Sequence, residues 1–209
     1  MLVNFRFAPE RWFCLPILFR FRYRSRQTVH NRGGRYLTRP ELALELLPLL
    51  GRRYPRLRFH AVGDTAYGGQ NVLRYLPGNC HLTSRLVIGA RLYDAPPPRR
   101  RGQSGRRRRR GPRLPTPEQL LQPRTRRLTL HIYGRDDRVR MAAALARVHA
   151  VPWRRVRVVA VEPLTGGRPR QAFYSTDVTL SAEQVLVLYA RRWAIEQTFQ
   201  ESKTHLGFE

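Results

Sequence analysis

"YARRWAIEQTFQESK", residues 189–203, is the stretch on which the fold and the chemistry turn. Tyr189, Arg192, Glu196 and Lys203 follow one another at gaps of 3, 4 and 7 residues. At about 100° per residue on an α-helix they fall within roughly 60° of one another. Leu188, Ile195 and Phe199 fall on the adjoining side. The spacing therefore predicts a helix that lays an apolar strip on a core and keeps a polar row at its edge. It should begin at Ser181, where "SAEQ" (181–184) has the form of a capping box, run through Lys203 and stop at Gly207. Taken alone, the row has two readings. It is either ordinary i,i+4 pairing, worth about 0.2–0.5 kcal/mol, or a site that needs a phenol, a guanidinium, a carboxylate and an ammonium together.

Working upstream, residues 171–178 ("QAFYSTDV"), 155–162 ("RVRVVAVE") and 128–134 ("LTLHIYG") read as strands, and "RMAAALARVHA" (140–150) as a short helix. Residues 95–127 break the pattern. "APPPRRRGQSGRRRRRGPRLP" (95–115) is nearly all Pro, Gly and Arg, without periodicity. It reads as a linker or surface loop, either an arm that grips phosphates or a solvated loop with no fixed role. Residues 2–94 alternate strand and helix, an α/β pattern. "LVNFRF" (2–7) and "RWFCLPILFRFRY" (11–23) are extended, the second alternating from Leu18 to Tyr23, with Pro16 at an edge or bulge. "LTRPELALELLPLLGRRY" (37–54) is a helix capped by Thr38, kinked or ended near Pro48 and closed by Gly51. "RLRFHAVG" (56–63) is a strand that delivers Asp64; "GGQNVLRYLPG" (68–78) is a short helix and "CHLTSRLVI" (80–88) another strand.

The chain has 209 residues, a formal net charge of +26 and 42% hydrophobic residues, enough for a core. So large a positive charge suits a polyanionic partner, usually nucleic acid. A codon bias toward arginine is the other source, since Lys203 is the one lysine among 40 basic residues. Cys14 and Cys80 are too few for a disulfide framework and read as buried apolar residues. The histidines show no ligand spacing. The run "WFCLPILF" (12–19) is far short of a membrane span, so a cytoplasmic protein with no membrane partner is expected. Asp94, Asp136, Asp137 and Asp177 read as surface or turn residues, and Trp193 as core.

The pattern Tyr-x2-Arg-x3-Glu-x6-Lys, with "RRW", "IE" and "K..LG.E" around it, resembles the Y-R-E-K signature of bacterial insertion-sequence DDE transposases. "VGDTAYGGQNVL" (62–73) is similar to the segment around that family's second catalytic aspartate, and "STDVTLSAEQV" (175–185) to the approach to its catalytic helix. The likeness extends from about Trp12 to Glu209. It implies an α/β, RNase H-like fold with a β-rich insertion before the catalytic helix, divided as a partial core (1–94), a Pro/Arg-rich linker (95–127), the insertion (128–180) and the catalytic helix (181–209). It implies DNA as partner, at transposon ends and target, an oligomer in the full-length family, and association with the nucleoid when DNA is bound. It implies metal-dependent strand cleavage and strand transfer on Mg2+ or Mn2+, with Asp64 and Glu196 as catalytic metal ligands. Oxygen-only donors suit such a cation. Arg192 and Lys203 would hold DNA phosphates, and Tyr189 would bond to the same backbone or stack nearby. Read from the residues alone, Asp64 is either such a ligand or a turn residue.

The sequence departs from the family in one respect. No aspartate precedes position 64, and Glu10, Glu41 and Glu45 sit in no matching motif. The chain is therefore expected to lack the first central strand and its aspartate, to be truncated at both ends, to be inactive in cleavage alone, and to aggregate through exposed strand edges. The competing expectation is a basic nucleic-acid-binding protein without chemistry. The two differ in whether Asp64 and Glu196 share a pocket.

Overall fold

The sheet is built on a valine-rich run, Val158 to Val161, every residue of which is buried. A strand buried on both faces needs apolar residues at successive positions rather than at alternate ones, and here cores lie on both sides. The computed structural model describes residues 2–8, 11–16, 26–27, 35–99, 101–106, 108–122, 125–132 and 134–207. The elements run β1 (Leu2–Ala8), β2 (Arg11–Pro16), α1 (Arg39–Arg53), β3 (Phe59–Gly63), α2 (Gln70–Arg74), β4 (Cys80–Leu86), β5 (Leu92–Tyr93), β6 (Arg113–Leu114), α3 (Pro117–Leu120), β7 (Arg127–Ile132), β8 (Arg135–Val148), β9 (Val151–Pro163), β10 (Gln171–Ser175), α4 (Ala182–Ala190) and α5 (Trp193–Leu206). The alternation expected at 18–23 lies outside the described residues.

Strands β1 and β2 form a hairpin of their own. The main sheet has the order β3-β4-β10-β9-β8-β5-β6, with β7 also on β8. Its β3/β4 pair is parallel; the other pairs are antiparallel. Strands from residues 128–180 thus join β4 edge to edge. This is the mixed α/β architecture expected, with a mostly antiparallel sheet. On one face Leu82, Val156, Val158 and Tyr174 meet α1, α2 and α3 through Leu44, Leu47, Val72 and Leu120. On the other, Val139, Val159, Val161 and Phe173 meet α4 through Val185, Leu186 and Tyr189. Among the described residues no helix is long and apolar enough to cross a membrane.

Several local expectations hold. Glu41 Oε2 accepts the Thr38 N–H at 2.8 Å, and the Ser181/Gln184 capping box forms at 3.1 and 2.8 Å. Gly207 ends α5 at a φ of 65°, and Cys80 is buried. Four expectations need correction. Pro48 and Gly51 both lie inside α1. Gly51 is there for a close approach: a Cβ on it would come 2.9 Å from the Pro77 Cβ. The expected helix at 140–150 is instead the second half of β8 and the β8–β9 turn. Helix propensity favours "MAAALA", but pairing with β9 from Val139 to Val148 overrides it. Asp137, expected at the surface, is 3% exposed. It takes Arg168 Nη2 at 2.7 Å and Arg135 Nε at 3.4 Å. Trp193 is half-exposed rather than core.

His60 and His81 face each other in register on β3 and β4, and His60 Nε2 lies 2.7 Å from Thr83 Oγ1. Burial, reinforced by His81, lowers the His60 pKa to about 4. The folded state therefore prefers the neutral ring. Its contribution is complete above the unfolded value near 6.5 and is lost as pH falls toward 4. Urea midpoints measured from pH 7.5 to 4 should fall across that window, and should fall less in His60→Gln. An equal fall in both proteins would show that other groups carry the acid sensitivity.

Candidate active site

Strand β3 ends at Gly63, and Asp64 opens the turn that follows. Hydrogen bonds from its own backbone and from two neighbouring strands fix the turn. The Ala66 N–H donates to Asp64 Oδ1 at 2.9 Å, and the Tyr67 N–H to Asp64 O at 3.1 Å. Ser84 Oγ on β4 donates to Asp64 O at 2.8 Å, and Tyr174 Oη on β10 donates to Gly68 O at 2.6 Å. Burial pushes the Tyr174 phenol pKa upward, so it stays a donor. The Asp64 side chain remains exposed, with Oδ2 outside these bonds. Asp64 thus caps its turn with one carboxylate oxygen, as the turn reading expects. Val62, two residues before it on β3, packs on the α4 face.

Ser84, Tyr174 and Gly68 were not foreseen as parts of this site. The pair Gly68–Gly69 was a usable signal of close approach, whereas Ser84 and Tyr174 arrive from distant strands. A Cβ on Gly68 would stand 2.5 Å from Ser84 Oγ, 2.9 Å from Tyr174 Oη and 3.0 Å from Ser84 Cβ. Gly68→Ala should therefore cost about 1–3 kcal/mol and displace the Ser84 bond to Asp64. Urea unfolding reads the first effect. A change below about 0.5 kcal/mol would mean that the turn is not clamped as described.

The polar row is not carried by one helix. α4 ends at Ala190 and α5 begins at Trp193. Between them the backbone stays right-handed but tightens, with i→i−3 bonds from Arg192 N to Tyr189 O (3.0 Å), Ala194 N to Arg191 O (3.1 Å) and Ile195 N to Arg192 O (3.0 Å). The joint falls where the buried run Val185, Leu186, Tyr189, Ala190 gives way to two arginines. The buried face of α4 thus includes Tyr189 itself, 5% exposed, whereas Phe199, expected in the apolar strip, is 62% exposed.

At the joint three residues of the row still touch in order. The Tyr189 ring packs on Phe173, centroids 4.5 Å apart, so it offers no open face for stacking. The Arg192 guanidinium stands over the Tyr189 ring, 5.8 Å from guanidinium carbon to centroid. Arg192 Nη2 meets Glu196 Oε1 at 2.7 Å. Arg192 Nε is buried without an acceptor among the described residues. The Glu196 side chain is 43% exposed, so this ion pair is open to solvent. Lys203 lies two turns beyond Glu196 on α5, about 10 Å along the axis, exposed. α5 itself runs alongside β2.

Asp64 and the joint lie toward the same end of the sheet. Phe173, under Tyr189, is level with Arg85 of β4, and Gly63 is level with Ser84. β3 and β10 flank β4, so Gly63 and Phe173 are about 10 Å apart across the sheet. Among the described residues no group of three or more His, Cys, Asp or Glu could hold a metal ion. Asp64 and Glu196 each carry an exposed carboxylate, a donor type suited to a hard divalent cation.

A scan against protein-family models matches residues 40–209 to the model described as "Transposase DDE domain". Searches of curated proteins and of solved structures gave no match.

Proposed function

The chain belongs to the transposase DDE domain family, and from that membership we propose that it is the part of an RNase H-like DDE transposase that holds metal and grips DNA beside the scissile phosphate. One observation carries this reading: Tyr189, Arg192 and Glu196 touch in the order of the motif at the α4–α5 joint, inside the matched residues. Asp64 and Glu196 are the metal ligands, for Mg2+ or Mn2+. When bound, such ions activate the attacking oxygen and neutralise charge on the phosphate. The chain's own residues do the rest. Tyr189, anchored on Phe173, orients Arg192; Arg192 offers its remaining donors to a phosphate oxygen; Lys203 adds a point charge further along α5. The division at 94, 127 and 180, with residues 128–180 as a β-rich insertion, belongs to the same reading, as do bacterial insertion-sequence parentage, cytoplasmic location and oligomerisation of the kind the family shows.

The same reading has this chain bind DNA and metal without cutting. Titration of Mn2+, followed by the paramagnetic signal of the free ion, should give binding that Asp64→Asn and Glu196→Gln each weaken about tenfold or more. Equal binding in all three proteins would remove the metal site. Supercoiled plasmid incubated with Mg2+ or Mn2+ should stay supercoiled; nicking that Glu196→Gln abolishes would overturn the inactivity. The Arg192–Glu196 ion pair favours a second reading, in which Glu196 only holds Arg192 and the protein binds nucleic acid without chemistry. In that case metal binding is untouched by either substitution while DNA binding falls with Arg192→Gln.

A further inference from the structure

The arginine-rich segment is not a free linker, because both its ends are fastened. Leu92 and Tyr93 of β5 pair with Leu114 and Arg113 of β6. The Asp94 N–H donates to Pro112 O at 2.9 Å and the Gly111 N–H to Asp94 O at 3.0 Å. The two sides come so close that a Cβ on Gly111 would stand 2.1 Å from Ala95 O, a position only glycine can fill. The closed loop is then tied to the end of the β8–β9 hairpin. Tyr93 pairs with Arg147 of β8. Arg147 Nη1 donates to Arg109 O at 3.3 Å and to Pro152 O at 2.9 Å. Arg155 Nη2 reaches Asp94 Oδ1 at 2.8 Å. The Arg110 guanidinium stands 4.9 Å from the Tyr93 ring centroid.

Charge decides what this loop can meet. Arg99, Arg101, Arg106, Arg108, Arg109 and Arg110 are all exposed. Asp94 is the one acidic residue from 94 to 117, and Arg155 already pairs with it. Held on a fixed base, these guanidiniums repel one another, and no ion pair among the described residues neutralises them. A polyphosphate backbone supplies it, and releases its own counterions on binding. The loop's base, β5–β6, stands at one end of the strand order, and β3, which delivers Asp64, stands at the other.

We propose that the loop at 95–110, braced on the β8–β9 hairpin, is a second contact surface for duplex DNA, separate from the row at the α4–α5 joint and independent of metal. The proposal rests on the reading of the chain as a DNA-handling domain, and its test separates the two. A fluorescently labelled 20-bp duplex is titrated by anisotropy at several KCl concentrations in EDTA. Each neutralised phosphate contributes a slope of about 0.9 in log K against log salt. Substitution of Arg106, Arg108, Arg109 and Arg110 by Gln should flatten that slope by about 3 and weaken binding at 100 mM salt by roughly 10- to 100-fold. Arg109 and Arg110 also touch the base, so a variant limited to Arg106→Gln and Arg108→Gln is measured beside it. It should flatten the slope by about 1–2 with an unchanged urea midpoint. The combination Arg192→Gln with Lys203→Gln should act additively with the loop variants. An unchanged slope in both loop variants would overturn the proposal whatever the row variant does. An unchanged slope in the row variant alone removes DNA from the row and leaves the loop. Tighter loop-dependent binding of an RNA duplex of equal length would overturn the assignment to DNA.

Discussion

Phe173→Ala should lower stability by about 3–5 kcal/mol, the usual cost of emptying a buried aromatic site. Phe173 is 1% exposed. It lies in register between Arg85 of β4 and Val159 of β9, so strands flank it on both sides. From the α4 face the Tyr189 ring closes over it at 4.5 Å. Backbone pairing on both flanks keeps the site from collapsing, which places the cost toward the upper end. Loss of the aromatic pair accounts for about 0.5–1.5 kcal/mol of it. In a chain of this size the melting midpoint should drop by roughly 10 °C or more. The same substitution removes the surface on which Tyr189 rests, and Tyr189 holds Arg192. DNA affinity should therefore fall in Phe173→Ala even below its lowered midpoint, whereas Phe173→Leu should recover most of both. Urea unfolding and duplex anisotropy read the two effects. A loss under about 1 kcal/mol would mean that Phe173 is not the floor of the joint.

Features set by neighbours within four residues could be read from the sequence. The Thr38 and Ser181 caps, the stop at Gly207 and the strand that delivers Asp64 are of this kind, because cap chemistry and short apolar runs act locally. What distant partners decide could not be read. Residues 140–148 carry helix-forming alanines, yet become a strand because β9 offers a full antiparallel edge. Asp137 resembles any acidic residue beside a turn, and its buried state depends on Arg168, which reaches it from the β9–β10 connection. The joint at Arg191–Arg192 carries no glycine or proline to mark it. It appears where the packing run ends, and it turns Tyr189 from the polar row into the core. Of the candidate site, the spacing of Arg192, Glu196 and Lys203 was visible, since an i,i+4 contact is local and a step of seven returns to the same helix face. The bracing of Asp64 by Ser84 and Tyr174 was not, because parallel and antiparallel pairing alone brings them to its turn.

Arg168→Ala should cost about 2–3 kcal/mol. The carboxylate of Asp137 is only 5% exposed, and its Oδ2 has no hydrogen-bond partner among the described residues. Arg168 Nη2 at 2.7 Å is its near counter-charge; Arg135 stands off at 3.4 Å and is 61% exposed. Removing one partner of a buried pair strands the other in a poor solvent, typically at about 3–5 kcal/mol. Arg135 can move closer, which brings the figure down. The desolvated charge, not the lost contact, is the dominant part, and a double substitution separates the two. In Arg168→Ala with Asp137→Asn no charge is stranded, so the double variant should be more stable than Arg168→Ala alone by at least about 1 kcal/mol. The consequence reaches the site through β10. Arg168 and Arg170 hold the segment that enters this strand, Arg170 by pairing with Glu162 at 2.9 Å. β10 then carries Phe173 to Tyr189 and Tyr174 to the turn of Asp64. Hydrogen exchange in Arg168→Ala should therefore rise at residues 171–175 ahead of β4. If Asp137→Asn restores nothing, or if β10 keeps its protection, the Asp137–Arg168 pair is a surface ornament and the strand is held by its ladder alone.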